Sequence, residues 1–229
     1  MNQKIQAVMP ISMLRDNCVP EWLPLINQHK KDLTLRKGAT AFREGDPVKG
    51  VYFILSGKMK IHQQWGEDKE LILRFANDGD LLGYRGLGKE KKYPITATAL
   101  DDTSLMFIEI AFFEATLRIN PRLTYALMDF YANELENTEA RMRNMIHMEV
   151  RGRIAEALLY LESKFGVGES GFIDVKLTKQ DIASYVGTTY ETVSRITGDF
   201  EREKLIRSNG KNISLLKTRQ LDGIKKKFR

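Results

Sequence analysis

The spacing of the apolar residues changes along the chain, and the change limits the folds it can adopt. Between residues 33 and 110, short β-type runs alternate with glycine or Asn/Asp turns; the runs are 51–55, 58–62, 71–75, 95–100 and 104–110. Many strands of about five residues with such turns are typical of an all-β sandwich or barrel. From about Ala111 the spacing becomes helical. We therefore predict an α+β fold with an N-terminal β-barrel of the jelly-roll type.

A long helix is predicted after the strands. Pro121 suits the first turn of a helix, with Asn120 as its candidate cap. Six residues then repeat at alternating intervals of three and four, which is the pattern of a coiled-coil seam: Met128, Tyr131, Leu135, Thr138, Met142 and Met145. We interpret the seam as that of a homodimer, because the helix is too long for a barrel of this size to cover. The alternative is a helix that packs on its own barrel.

Residues 177–205 have the pattern of two short helices joined by a tight turn. Thr178 and Asp181 form a candidate capping box for the first helix, and Gly187 is predicted to end it. Thr188, with Glu191 three residues later, is predicted to cap the second helix. Helix, glycine-containing turn and helix together form the helix-turn-helix arrangement.

The second helix has an apolar face and an opposite face that suits the edges of DNA bases. Val193, Ile196 and Phe200 share the apolar face. Glu191 and Arg195 each lie about 200° from Val193. An arginine can donate two hydrogen bonds to a guanine, and a glutamate can accept one from a cytosine amino group. The candidate residues on this side are Thr189, Tyr190, Glu191, Ser194 and Arg195. The alternative for Glu191 and Arg195 is an exposed ion pair one helical turn apart.

A hairpin and an excess of positive charge follow the two helices. Asn209-Gly210 between two β-type runs is a strong hairpin signal, and it places Lys211 at the tip. The first 150 residues contain 20 basic and 20 acidic side chains, whereas the remainder contain 16 and 10 and so hold the whole net charge of +6. A helix-turn-helix followed by such a hairpin is a winged helix. Together with the positive charge of this region, it predicts binding to double-stranded DNA. A short strand is also predicted at 172–175, and the basic tail at 225–229 is interpreted as solvated.

Several classes of protein are excluded by the sequence. No run approaches the roughly 18 apolar residues of a membrane helix. The first 14 residues lack the apolar core and cleavage site of a secretory signal. The one cysteine, Cys18, cannot form an internal disulfide or a thiolate metal site, and the three histidines lie far apart. We therefore predict a cytoplasmic protein with no metal, no cofactor and no membrane partner.

No catalytic residues are assigned. Residues 83–89 match the pattern G-x-x-x-x-G-K of a phosphate-binding loop, but Glu90 follows where Ser or Thr would hold magnesium. No nucleophile–base pair or pair of carboxylates can be placed together from the sequence. The chain is therefore not predicted to be an enzyme.

Two stretches of the chain resemble the CRP/FNR family of bacterial transcription regulators, and the resemblance covers about residues 33–216. The first is F-R-E-G-D with V-Y-F-I-L-S-G at 42–57 and G-D-L-L-G at 79–83, similar to the family's cyclic-nucleotide-binding-type barrel. The second is L-T-K-Q-D-I at 177–182 with V-G-T-T-Y-E-T-V-S-R at 186–195. The resemblance implies that Glu191 and Arg195 contact bases and that Lys211 is the contact of the wing. It also implies phosphate contacts by Thr178, Lys179 and Gln180.

The remaining residues of the predicted DNA-binding surface lie at the start of the second helix. Tyr190 and Ser194 occupy the positions where the family's base contacts vary, and they are similar to the FNR branch. Thr188 and Thr189 complete the predicted surface.

The predicted effector site departs from the family's cyclic-AMP pattern. That pattern has a Gly-Glu pair for the ribose and an Arg-Ser pair for the phosphate, but here Tyr84 takes the glutamate position and Tyr93-Pro94 the Arg-Ser position. Without that arginine a buried phosphate loses its bidentate partner, so cyclic AMP is not the predicted effector. Arg85 and Arg74 are the candidate replacements, and Thr138 matches a family contact to the purine. The candidate pocket is Arg74, Gly83, Tyr84, Arg85, Tyr93 and Thr138.

These predictions together describe a homodimeric, sequence-specific transcription regulator. Residues 1–112 are predicted to form a cyclic-nucleotide-binding-like sensor barrel, 113–150 a dimerisation helix and 151–229 a winged helix-turn-helix DNA-binding domain. Its operator would be near-palindromic, with recognition helices roughly 34 Å apart. RNA polymerase is a predicted partner if the protein activates transcription, and the sequence names no effector. The alternative is a nucleotide-binding signalling module that regulates a partner protein.

Overall fold

The computed structural model describes residues 11–66 and 69–226. Residues 1–10, which belong to the segment assessed for a secretory signal, lie outside the described residues. The last three residues of the basic tail, 227–229, also lie outside them. The chain divides into two compact units. The first comprises the residues up to Met59 together with Ala76–Leu135, and the second comprises Lys60–Phe75 and the residues from Glu136 onward.

Each of the five predicted β-type runs overlaps a strand, three further strands among the described residues (31–35, 40–42 and 81–82) were not predicted, and the fold class is α+β as predicted. The chain opens with helices α1 (Ser12–Asn17) and α2 (Leu23–His29), separated by a 3₁₀ turn (Pro20–Trp22). Strands β1 (Lys31–Leu35), β2 (Thr40–Phe42), β3 (Gly50–Ser56), β4 (Met59–Trp65), β5 (Lys69–Ala76) and β6 (Leu81–Leu82) follow. A 3₁₀ helix (Tyr84–Leu87), β7 (Thr96–Ala99), β8 (Thr103–Glu109) and helix α3 (Ile110–Ile119) complete this part.

The first unit is built around an antiparallel sheet of order β1-β8-β3-β6. Residues 51–54 of the central strand β3 are all buried, as expected of a strand covered on both faces. Val51 lies opposite Ile108, and both belong to a core that also contains Phe53, Phe113 and Leu123. Strand β2 pairs antiparallel with β7. The apolar run 51–55 that predicted β3 therefore supplies residues of the core.

The long helix α4 (Pro121–His147) begins at Pro121, as predicted. The prediction that Asn120 caps it is not supported, because the amide of Asn120 is engaged elsewhere: its Oδ1 accepts from the Val19 N–H (2.8 Å) and its Nδ2 donates to the Thr116 carbonyl (2.8 Å). Leu123 and Leu127 bury one side of the helix. Of the predicted seam residues, Met128, Leu135 and Met142 are 63%, 60% and 60% exposed, whereas Tyr131 is 37% exposed and Met145 is half-buried beside Gly187.

The second unit contains the β4–β5 hairpin and the C-terminal helices. The remaining elements are α5 (Val150–Phe165), α6 (Lys179–Val186), α7 (Tyr190–Arg202), β9 (Ile206–Asn209), β10 (Asn212–Leu215) and α8 (Thr218–Lys226). Its core includes Ile154, Ile182, Phe200 and Leu221. The strand predicted at 172–175 is wrong, because the backbone forms only an isolated bridge there, between Val167 and Ile173.

Candidate nucleic-acid interface

Helix α6 begins with the predicted capping box. The Thr178 hydroxyl accepts from the Asp181 N–H (3.0 Å), and the Asp181 carboxylate accepts from the Thr178 N–H (2.9 Å). The Thr178 hydroxyl also donates to that carboxylate (2.6 Å), so its proton is already engaged. The cap fixes the start of the first helix of the helix-turn-helix, where the following exposed residue is Gln180.

A lysine of the β4–β5 hairpin bonds to the aspartate of this cap. Lys60 Nζ donates to Asp181 Oδ1 (3.1 Å) and to Glu70 Oε1 (2.7 Å), and His62 Nδ1 lies 3.0 Å from Glu70 Oε2. Burial raises the pKa of Glu70, but the bonds from His62 and Lys60 outweigh burial and lower it to about 2. Sequence analysis missed this cluster because Lys60 and Asp181 are 121 residues apart, and no local pattern connects them.

The turn between the two helices corrects one predicted cap. Gly187 ends α6 in the left-handed conformation (φ 68°), as predicted. The Thr188 N–H still bonds back to the Ala183 carbonyl (3.1 Å), so Thr188 belongs to the end of α6. The cap of α7 is therefore Thr189, whose hydroxyl accepts from the Thr192 N–H (3.3 Å), and not Thr188.

Helix α7 presents its faces as the spacing predicted. Val193, Ile196 and Phe200 are buried, whereas Glu191 and the flanking Tyr190 are exposed. The pKa of Glu191 is lowered by its own backbone N–H and by the Thr189 hydroxyl. Its carboxylate therefore remains an ionised acceptor near neutral pH, which is the state needed to accept from a base amino group.

Arg195 pairs with Asp199 and not with Glu191, the partner in the alternative interpretation. Its side chain is 68% exposed, and its Nη1 lies 3.9 Å from Asp199 Oδ2. Within the described residues Glu191 does not pair with Arg195. Asp199 also pairs with Arg202, so this one carboxylate lies between two exposed guanidinium groups. The spacings of four and three residues could have revealed Asp199 as the orienting group.

Two further residues that were predicted to contact DNA, Lys179 and Ser194, are hydrogen-bonded to each other. Lys179 Nζ donates to Ser194 Oγ (3.1 Å), which connects the start of α6 to the exposed side of α7. The ammonium and the hydroxyl thus lie side by side on the surface predicted to face DNA.

The wing forms as predicted. Strands β9 and β10 pair antiparallel with Asn209 opposite Asn212, and Gly210 takes the left-handed conformation (φ 62°) that the tight turn requires. Lys211 is exposed at the tip. Glu201 of α7 accepts from the Ser208 N–H (2.8 Å), which anchors the wing to the second helix.

Four of the six candidate effector residues lie together in the first unit, and their polar groups bond within the protein. Tyr84 is 3% exposed and its hydroxyl donates to Glu134 Oε2 (2.6 Å); Arg85 Nη2 lies 3.7 Å from the same oxygen. Tyr131 donates to the Tyr84 carbonyl. Gly83 takes a left-handed conformation (φ 79°) in which a Cβ would lie 3.2 Å from the ring of Tyr93.

Tyr93, which with Pro94 was predicted to take the position of the Arg-Ser pair, is buried. It is 2% exposed, and its hydroxyl donates to the Gly50 carbonyl (2.7 Å) and accepts from the Gly50 N–H (3.2 Å). The ring stacks on Phe42 with centroids 4.1 Å apart. The other two candidates, Arg74 on β5 and Thr138 on α4, belong to the second unit.

In the part of the chain that the structure describes, no helix combines the length and the apolar composition that crossing a membrane requires.

Comparison with known proteins finds two matching family models. A cyclic nucleotide-binding domain matches residues 32–120, and a Crp-like helix-turn-helix domain matches residues 152–224. The chain is 30% identical over 187 residues to the cAMP-activated global transcriptional regulator CRP of Salmonella typhimurium, covering 79% of this chain and 87% of that one. It is 26% identical over 204 residues to the CRP-like cAMP-activated global transcriptional regulator of Mycobacterium tuberculosis (88% and 91% covered).

Among solved structures, the fold is similar to that of FixK2 from Bradyrhizobium japonicum. The TM-score is 0.76 at 23% identity, with 85% of this chain and 96% of that chain covered.

Proposed function

The chain belongs to the CRP/FNR family of DNA-binding transcription regulators, and from this premise we propose that it is a cytoplasmic homodimer that binds a near-palindromic operator through α7. Residues 1–112 are the sensor, 113–150 the dimerisation helix and 151–229 the DNA-binding domain. The single observation that supports the proposal most is the exposed side of α7, where ionised Glu191 and exposed Arg195 lie opposite the buried Val193.

The residues of the proposed interface fall into two groups, those that contact base edges and those that contact phosphates. Glu191 and Arg195 contact base edges, with Tyr190 and Ser194 beside them. Lys211 at the wing tip and Lys179 contact phosphates, which fixes the orientation of the domain and not its sequence preference. Thr178, Gln180, Thr188 and Thr189 complete the proposed interface. Thr178 and Thr189 act chiefly through the helix caps that they form.

The proposed dimer rests on the exposed apolar side of α4. Met128, Leu135 and Met142 form a row at seam spacing on a helix of 27 residues, each at least 60% exposed. A contiguous apolar row of this kind is typical of a protein–protein interface. If the protein activates transcription, RNA polymerase is a further partner.

We propose that any effector of the sensor is a molecule other than cyclic AMP. The two relatives named above are described as cAMP-activated. In this chain, however, Tyr84 and Tyr93 stand at the ribose and phosphate positions, and both hydroxyls are bonded to the protein's own groups. A cyclic phosphate would have to displace the buried Tyr93 ring without gaining an arginine in its place.

A gel shift on the promoter region of the protein's own operon tests the function. We expect a specific complex that resists excess unrelated DNA and that is unchanged by cyclic AMP. A partner protein recovered with the chain, together with no preference for that promoter, would instead favour the signalling-module alternative. A shift that appears only when cyclic AMP is added would contradict the proposal for the effector.

A further inference from the structure

The end of helix α6 is held by two arginines that come from different helices. A helix leaves its last carbonyl groups without partners inside the helix, and these groups carry a partial negative charge. Here three consecutive carbonyls, those of residues 185–187, accept from guanidinium groups. The donors are Arg141 of α4 and Arg153 of α5.

Arg153 joins two helix ends through one side chain. Its Nε donates to the Val186 carbonyl (3.0 Å) and its Nη2 to the Gly187 carbonyl (3.2 Å), both at the end of α6. Its Nη1 donates to the carbonyls of Met145 (3.2 Å) and Met148 (2.9 Å), at the end of α4. The same guanidinium therefore bonds the end of the long helix and the turn that precedes the recognition helix.

Arg141 adds a second connection at the same place. Its Nη2 donates to the Tyr185 carbonyl (2.9 Å) and to the Ile72 carbonyl (3.2 Å), and its guanidinium lies 4.2 Å over the ring of Tyr185. Met145 of α4 also lies against the turn, since a Cβ on Gly187 would be 3.7 Å from its Cε. The end of α4 and the end of α6 are thus in contact at several points.

We propose that Arg153 is a positioning residue that sets the angle between the long helix and the recognition helix, with Arg141 in support. The proposal rests on the proposed function, because it concerns a dimer in which α4 forms the seam. In such a dimer the angle fixes the distance between the two recognition helices, and hence the number of base pairs between the half-sites. Arg153 therefore determines half-site spacing without contacting DNA.

Lysine cannot replace arginine in this arrangement. The guanidinium presents five N–H donors in a rigid planar fork, and Arg153 directs four hydrogen bonds to two helix ends. An ammonium keeps the charge but is a compact group on a flexible stem, so it cannot bond both ends in one fixed geometry. Arg153→Lys thus keeps the positive charge but loses the planar arrangement of donors that bonds both helix ends.

The test is selection from a random DNA pool by the full-length wild type, Arg153→Lys and Arg143→Lys, followed by sequencing. Arg143 is the matched control, because it is exposed on α4 one turn before the end of the helix. Each selection is run with the purified protein alone and with a low-molecular-mass extract of the producing cells. We expect Arg153→Lys to select the same half-site bases as the wild type. The ratio by which the preferred spacing is enriched over spacings one base pair longer or shorter should fall about tenfold.

The outcomes separate the two proposals. A wild type that enriches no DNA in either condition contradicts the proposed function. A wild-type spacing distribution in folded Arg153→Lys overturns the positioning role, as does loss of the half-site bases together with the spacing. If thermal unfolding shows that Arg153→Lys does not fold, Arg141→Lys is selected instead; it disturbs the Tyr185 bond at this helix end together with the bonds to the Ile72 and Leu73 carbonyls. A wild-type spacing distribution in that variant also overturns the proposal.

Discussion

The recognition helix and the sensor differ in what their polar side chains bond to. On α7, Glu191 and Arg195 face solvent, and their nearest groups serve to hold them ionised or oriented. In the sensor, the hydroxyls of Tyr84 and Tyr93 are buried and bond to Glu134 and Gly50. A surface that binds another molecule leaves its donors and acceptors available to that molecule. Buried groups that are already satisfied contribute to stability instead.

The largest expected effect concerns the half-buried carboxylate of Glu70 and depends on pH. The pKa of Glu70 is lowered from 4.5 to about 2, so its contribution is fully present above pH 4.5 and is lost as the pH falls from 4.5 towards 2. Urea titrations across this range should show the free energy of unfolding falling by up to about 3 kcal/mol more in the wild type than in Glu70→Gln. The same pH dependence in both proteins would show that the bonds from His62 and Lys60 do not stabilise the ionised Glu70 carboxylate.

Arg195→Ala tests the exposed side of the comparison. Loss of a bidentate base contact should weaken operator binding by about 1–3 kcal/mol and relax discrimination at one base pair. The measurement is titration of the operator and of a set in which each base pair is replaced in turn. Arg118→Ala is the matched control, since Arg118 is also exposed and also pairs with a carboxylate one turn away, Glu114. An equal loss on all sequences would show that Arg195 contacts phosphate.

Tyr93→Phe tests the buried side. The substitution keeps the ring but removes the partner of the Gly50 N–H and carbonyl. The free energy of unfolding should fall by about 1–2 kcal/mol, with operator affinity unchanged. The exposed Tyr125→Phe should change neither quantity. Full stability in Tyr93→Phe would mean that the bonds between this hydroxyl and Gly50 do not stabilise the fold.

Lys211→Ala has the smallest expected effect and separates two kinds of exposed contact. As a phosphate contact, Lys211 should weaken binding to every sequence by the same factor, and its loss should reduce the slope of log affinity against log salt by about 1. Competition between operator and unrelated DNA checks this. A change in base preference like that expected for Arg195→Ala would show that the two residues do not have different roles.

Local patterns predicted the recognition unit well, because its elements begin and end at residues close together in sequence. The Thr178–Asp181 box, the turn at Gly187 and the hairpin at Asn209-Gly210 are each set within a few residues. Within this unit the cap of α7 was placed one residue too early, since the Thr188 N–H bonds back into α6. These signals depend on hydrogen bonds that span three or four residues.

The contacts that orient the unit could not be predicted, because they join residues distant in sequence. Lys60 with Asp181 and Arg141 with the Ile72 carbonyl connect the β4–β5 hairpin to helices more than 60 residues away. The resemblance predicted that Tyr93-Pro94 takes the position of an Arg-Ser pair, but the bond of Tyr93 to Gly50 is visible only in the fold. The strand wrongly predicted at 172–175 had the right composition, but its backbone forms only an isolated bridge with Val167 and a single hydrogen bond from the Ile173 N–H to the Ile213 carbonyl of β10, and no ladder.

The most direct test of the central claim, that the exposed side of α7 binds DNA as part of a charged interface, is operator affinity as a function of salt. Lys179 and Lys211 give four cationic phosphate contacts in the proposed dimer, so the affinity of the full-length protein should fall by about 10²-fold between 50 and 200 mM salt, and the operator should stay preferred over unrelated DNA throughout. An affinity that stays flat across that range, or equal affinity for operator and unrelated DNA, would contradict the account.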